Sequence, residues 1–186
     1  AINPTVALLT KTTQGSIRLT GPLPSNSTAL SAGTLYHVRA YATNTQGTAY
    51  GADVSFTALL TPTVTTQAVT EVTTTTATGN GYVTVLGVPN PTEHGVVWST
   101  TANPTIANSK TMDGPVSATG AFTSSISGLT SGTLYHVRAY ATNDAGTSYG
   151  NEVTFTTLFV PTVTTQAVTA ITTTTATGNG NITNLG

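Results

Sequence analysis

Cysteine is absent from the 186 residues, so neither a disulfide framework nor a thiolate zinc site holds this chain together. Charge is scarce as well. Five Lys and Arg and six Asp and Glu make up 6 % of the sequence, where about 25 % is usual. Five scattered cations cannot form the basic patch that nucleic acid or an anionic membrane surface demands, so no nucleic-acid partner is expected. No apolar run approaches the roughly 18 residues of a membrane span, so membrane insertion is not expected either. The six acids form no Asp-x-Asp cluster for calcium, and the three histidines, His37, His94 and His136, have no companions at metal-ligand spacing. Hydroxyls are plentiful, but no nucleophile, base and orienting group stand together, so the chain is expected to be no enzyme and to carry no cofactor or metal. No signal peptide is visible. The sequence begins in mid-repeat and reads as a window from a longer array.

What is present is threonine, 46 residues of 186, and a long internal repeat. Residues 30–87 and 129–186 align without a gap at an offset of 99, with 42 of 58 pairs identical. Leu-Tyr-His-Val-Arg-Ala-Tyr-Ala-Thr-Asn stands at 35–44 and again at 134–143. A period near 100 residues is one small domain, too long for a solenoid turn. The expected organisation is therefore 1–61 as the later part of one repeat, 62–160 as a complete repeat, and 161–186 as the start of a third. In the first part, Asn3-Pro4-Thr5 corresponds to Asn103-Pro104-Thr105.

Thr is β-branched and favours strands, and no stretch shows a helical period. Regular alternation, with Tyr, Val, Phe and Trp at fixed places, opposes disorder. Turn signals such as Pro89-Asn90-Pro91, Asp113-Gly114-Pro115 and Asp144-Ala145-Gly146 delimit seven strands in the complete repeat. These are A at 63–69, B at 74–84, C at 94–100, a short D at 106–111, E at 121–127, F at 134–143 and G at 148–157. Seven short strands in about 100 residues suit an all-β, immunoglobulin-like sandwich.

Strand F alternates Tyr135, Val137, Ala139 and Ala141 on one face with His136, Arg138, Tyr140 and Thr142 on the other. A three-residue loop ending in Gly146, whose lack of Cβ permits positive φ, would set Val137 opposite Val153 and Tyr140 opposite Gly150. It would also pair Arg138 with Glu152, and Arg39 with Asp53 in the earlier copy. The outward stripe His136, Arg138, Tyr140 is a candidate surface contact, and Tyr41 and Tyr140 are the candidate exposed aromatics. The Thr-rich segments 61–78 and 160–177 are expected to be strands with Thr on their wet face. Asn26-Ser27-Thr28 and Asn181-Ile182-Thr183 fit a glycosylation pattern of little weight outside eukaryotes. The links Leu59-Leu60-Thr61-Pro62 and Leu158-Phe159-Val160-Pro161 are expected to be partly buried between neighbours and stiff.

Leu129…Tyr135, Val137-Arg138-Ala139 and Asn143…Gly146 resemble the end of a fibronectin type III domain, and Leu30…Tyr36 repeats the spacing. The resemblance implies a tyrosine corner, in which Tyr36 and Tyr135 bond back to the backbone. The wording, including His94-Gly-Val-Val-Trp-Ser, is similar to the tandem modules of large bacterial surface and secreted proteins, especially of the Bacteroidetes type. One departure is that the family's strand B Trp is missing. Ala77, Gly79 and Gly81 stand there, and the expectation is that these glycines make room for Trp98 from strand C. The resemblance implies an extracellular, structural role as stalk, adhesin shaft or filament body, with neighbouring copies of the repeat as partners through self-association. Two alternatives follow: a glycan-binding or spacer module of a polysaccharide-degrading enzyme, and a filament subunit joined by inter-chain strand complementation.

Overall fold

The computed structural model describes Gly15, Gly21, Pro22 and residues 24–185. The correspondence of Asn3-Pro4-Thr5 with Asn103-Pro104-Thr105 lies outside the described residues. The described chain is strand and turn throughout, and it divides into two compact units, 1–60 and 61–186. The first unit holds β1 (Leu35–Val38), β2 (Tyr41–Asn44), β3 (Gly47–Tyr50) and β4 (Val54–Thr57). β1 pairs antiparallel with β4 and β2 with β3, and Tyr36 stacks on Phe56 at 5.7 Å between ring centres.

The second unit contains a complete β-sandwich of the fibronectin type III-like, immunoglobulin-like kind. Its strands are β5 (Thr63–Thr70), β6 (Ala77–Val85), β7 (Glu93–Ser99), β8 (Ser109–Lys110), β9 (Gly120–Ile126), β10 (Leu134–Asn143), β11 (Gly146–Tyr149) and β12 (Val153–Thr156). One sheet runs β5-β6-β9. The other runs β11-β10-β7-β8, with β12 also on β10. Period-two alternation turns Val64, Ala77 and Val83 of the first sheet toward Val96, Val137, Ala139 and Ala141 of the second, and all seven are buried. Tyr135, Leu129 and Ile126 close one end of this core, while Phe122 bridges both halves.

Four expectations need correction. Strand G is broken in two, because Asn143 pairs with Gly146 across a two-residue loop while Val137 still pairs with Val153. The one-residue difference in register is absorbed at 150–152, so Tyr140 faces Tyr149 rather than Gly150. Gly146 does take positive φ, +138°, at the start of β11 rather than inside a three-residue loop. The space at Gly79 belongs to Val96 and not to Trp98: a Cβ there would stand 2.8 and 3.0 Å from the two Val96 γ-carbons. At Gly81 the neighbours are Phe122 and Ala139, and Trp98 packs only at the margin of the core. In the second link, the Phe159 ring lies against Gly132, yet Leu158, Phe159 and Val160 are all exposed.

The second unit ends in a hairpin of β13 (Thr162–Thr169) and β14 (Thr177–Asn184). It copies β5–β6 in detail, including register shifts at the matching places, Thr63/Val64 with Gln67/Thr70 and Thr162/Val163 with Gln166/Thr169. Glu71 and its counterpart Ala170 even share positive φ, 51° and 49°. Identical residues thus impose identical backbone.

Candidate functional site

The outward face of β10 is where the sequence places its candidate contacts, and the structure uses those side chains internally. His136 Nδ1 lies 2.8 Å from Glu152 Oε1, and the same carboxylate accepts the Asn103 N–H. The expected Arg138–Glu152 pair is replaced by His136–Glu152, the carboxylate reaching its diagonal neighbour, since His136 itself stands opposite Thr154. Arg138 Nε donates to Gly150 O at 2.9 Å, and its guanidinium lies 4.8 Å from the Tyr149 ring centre. Tyr149 Oη in turn accepts the Ile106 N–H. His136, Glu152, Arg138 and Tyr149 therefore tie the 103–106 loop onto the sheet. The Asn103 N–H, followed by His136, holds the Glu152 carboxyl below the usual carboxylate range.

The first unit repeats the arrangement. His37 Nδ1 stands 2.7 Å from Asp53 Oδ2, Arg39 donates to Gly51 O at 2.9 Å, and its guanidinium lies 5.1 Å from the Tyr50 ring centre. Here too the acid opposes His37 rather than Arg39.

Tyr140, expected outside, is buried. Gly95 opposite it on β7 supplies the room, and a Cβ at Gly95 would stand 3.2 Å from Tyr140 Cε1. The loop after β8 closes over the pair, and Tyr140 Oη donates to Thr111 O at 2.6 Å. Burial pushes the Tyr140 hydroxyl up to about 12, and the carboxylates of Glu93 and Asp113 add to the shift. Both corner tyrosines accept backbone N–H groups, Tyr135 from Thr130 at 3.0 Å and Tyr36 from Ser31 at 2.8 Å.

Three polar residues that sequence reasoning passed over are built into the core. Thr66 Oγ1 accepts the Ala139 N–H at 2.9 Å, joining the two sheets. Thr157 Oγ1 donates to Thr130 O at 2.6 Å and accepts the Thr133 N–H at 2.9 Å. Asn143 Nδ2 donates to Pro89 O at 2.7 Å. The signal for Thr66 was available, since it shares the face of Val64.

Elsewhere the described residues offer little surface chemistry. A shallow polar concavity beside Trp98 is lined by Ser99, Asn108, Ser109 and Gly128. Among the described residues, no three His, Asp or Glu converge as metal ligands, and no buried polar side-chain atom lacks a hydrogen-bond partner.

No protein-family model matches this sequence, and no curated protein does. Solved structures similar to the chain include the sensor domain of the anti-sigma factor RsgI4 from Pseudobacteroides cellulosolvens. Its long form is 20 % identical, covers 57 % of this chain and 99 % of its own, and has a TM-score of 0.40. The first three fibronectin domains of chicken CNTN1 are 14 % identical over 70 % of this chain and 45 % of theirs, with a TM-score of 0.41. Likeness at this level concerns fold alone.

Proposed function

We propose that this chain is a non-catalytic structural segment of a long extracellular bacterial protein, serving as stalk, adhesin shaft or filament body. The observation that carries the reading is what the two copies share. The His–carboxylate contact, the Arg–Tyr stack and the tyrosine corner recur 99 residues apart, and each is an internal tie of the fold. Repetition here multiplies a scaffold rather than a binding site. Sandwich strands of about ten residues give each module roughly 33 Å of length. The resemblance to tandem modules of bacterial surface proteins supports an extracellular location. A surface with so few charges has little electrostatic repulsion to keep copies apart, which suits assembly.

A glycan-binding reading has one observation in its favour, the polar concavity beside Trp98. Negative-stain electron microscopy at several concentrations, with retention on cellulose, chitin and xylan columns, tests both. Rods or fibres built on a repeat of about one module length, without retention, support the structural role. Compact particles that are retained on a glycan overturn it.

A further inference from the structure

We propose that the concavity beside Trp98 is a saccharide subsite, shaped for the rings of an uncharged, β-linked pyranose chain. This goes beyond the structural role and does not rest on it.

Every residue that lines the concavity lies inside the complete sandwich, between positions 98 and 135. Strand pairing places its central residue. Trp98 stands opposite Ser109 on β8 and opposite Val137 on β10. Period-two alternation turns the indole to the side of Val96, yet Trp98 stays half-buried at the margin of the core. Gly128 lines the space without a side chain, at φ +73°, and nothing stands within 4 Å of its Cβ position. The volume is about 410 Å³, toward the small end of the roughly 300–1,000 Å³ of small-molecule sites.

The polar groups gathered there are unspent. Among the described residues, no hydrogen bond engages the Trp98 indole N–H, the Asn108 side-chain NH2, or the hydroxyls of Ser109 and Thr100. The indole N–H is not sealed in the core either, because no buried side-chain nitrogen lacks a partner. It therefore opens to solvent. By contrast, Thr66, Thr157 and Asn143 spend their side chains on the fold. The loop that carries Asn108 is already fixed. Asn108 Oδ1 accepts the Thr105 N–H at 2.9 Å, Glu152 accepts the Asn103 N–H, and Tyr149 Oη accepts the Ile106 N–H. Free donors are thus held in place before a ligand arrives, which lowers the ordering cost of binding.

The chemistry of the lining selects the ligand. No Lys, Arg, Asp or Glu belongs to it, so nothing there pairs with a charged group. An indole packs on C–H faces, while an N–H, a carboxamide and two hydroxyls require hydroxyl partners. A pyranose ring with equatorial hydroxyls supplies both, with C–H on its faces and hydroxyls around its rim. The repeat adds a second argument. At the offset of 99, Asn108-Ser109 stands against Leu9-Thr10. The ties of the scaffold are copied, and these binding groups are this module's own.

Trp98 is the only Trp, so its fluorescence reports the subsite directly. Cellohexaose, chitohexaose and xylohexaose are titrated into the full 186-residue chain. A saturable change in emission with at least one of them is expected. Asn108→Asp keeps the oxygen that Thr105 uses and removes the free NH2, and Ser109→Ala removes a free hydroxyl. Each should raise the Kd about three- to tenfold, the worth of one hydrogen bond, while thermal melting by circular dichroism matches the parent. No saturable change with any of the three sugars, or a Kd unmoved in both variants, would overturn the subsite. Retention on insoluble cellulose, chitin or xylan that Asn108→Asp abolishes makes the polymer the ligand, and binding in solution without retention makes it a free oligosaccharide; both support the subsite. Rods in the microscope that bind no sugar leave the shaft reading standing while this proposal fails.

Discussion

Gly79→Ala is the substitution in which the packing argument is most exposed to refutation. The added Cβ would lie 2.8 and 3.0 Å from the Val96 γ-carbons and 3.2 Å from Ile126 Cδ1. Val96 is fully buried and β-branched, so one rotamer dominates and neither γ-carbon can turn away without meeting the opposite wall. Overpacking of this kind costs about 1–3 kcal/mol. At roughly 4–8 °C per kcal/mol for a domain of this size, a loss of about 2 kcal/mol lowers the melting temperature by roughly 8–16 °C. The chain contains its own control. Gly178 occupies the same Thr-Gly-Asn-Gly sequence in β14 with nothing within 4 Å of its Cβ position. Gly178→Ala should leave the melting temperature of the complete sandwich unchanged. Thermal unfolding followed by fluorescence reads the complete sandwich selectively, since Trp98 is the only Trp and lies on β7. An unchanged Gly79→Ala transition would refute the inward placement of β6 against Val96.

Thr157→Val removes one hydrogen bond given and one received by a buried hydroxyl, and should cost about 1–3 kcal/mol by chemical denaturation; a loss under about 0.5 kcal/mol would contradict those bonds. Tyr140 gives a pH dependence. Its folded value of about 12 lies above the ordinary 10, so its contribution is complete below pH 10 and is lost as pH rises from there through about 12. Tyr140→Phe should therefore flatten the alkaline stability profile in that window, and equal alkaline slopes for the two proteins would count against the buried hydroxyl. Exchanging Arg138 and Glu152 should destabilise, because neither residue pairs with the other and both lose their actual partners, His136, Asn103 and Tyr149. A neutral swap, measured by melting temperature, would restore the cross-strand pair that the structure does not contain.

Strand F was legible to the residue, 134–143, because ten alternating residues with four apolar ones, Tyr135, Val137, Ala139 and Ala141, on one face leave one phase open. The rest of the sheet was harder to read for a local reason. One inward apolar face and a three-residue loop together predict a single register, but a loop shorter by one residue, compensated further along at 150–152, preserves Val137 opposite Val153 while displacing the pairs nearer the loop. That single compensated shift explains the wrong neighbour for Tyr140. The burial of Tyr140 was beyond alternation altogether. It depends on Gly95, on a neighbouring strand, and on a loop that arrives from residues 111–114. Sequence period reports which face a residue is on, and cannot report that both faces are covered.

The internal copies also say what the repeat preserves. Of 58 aligned pairs 42 are identical, leaving 58 − 42 = 16 that differ. Differences that reach the core include a conservative one, Val83 against Ile182, and a polar one, Ala58 against Thr157. The acid of the His–carboxylate contact changes from Asp53 to Glu152 and keeps its partner. The free changes fall at the hairpin tip, Thr45-Gln46 against Asp144-Ala145, and on the outer face of β6, Tyr82 against Asn181. A binding surface multiplied for avidity would hold its exposed residues constant and let its ties drift. This chain varies the outer face of β6 and the hairpin tip while keeping the His–carboxylate contact, the Arg–Tyr stack and the tyrosine corner. That distribution supports the structural role proposed above.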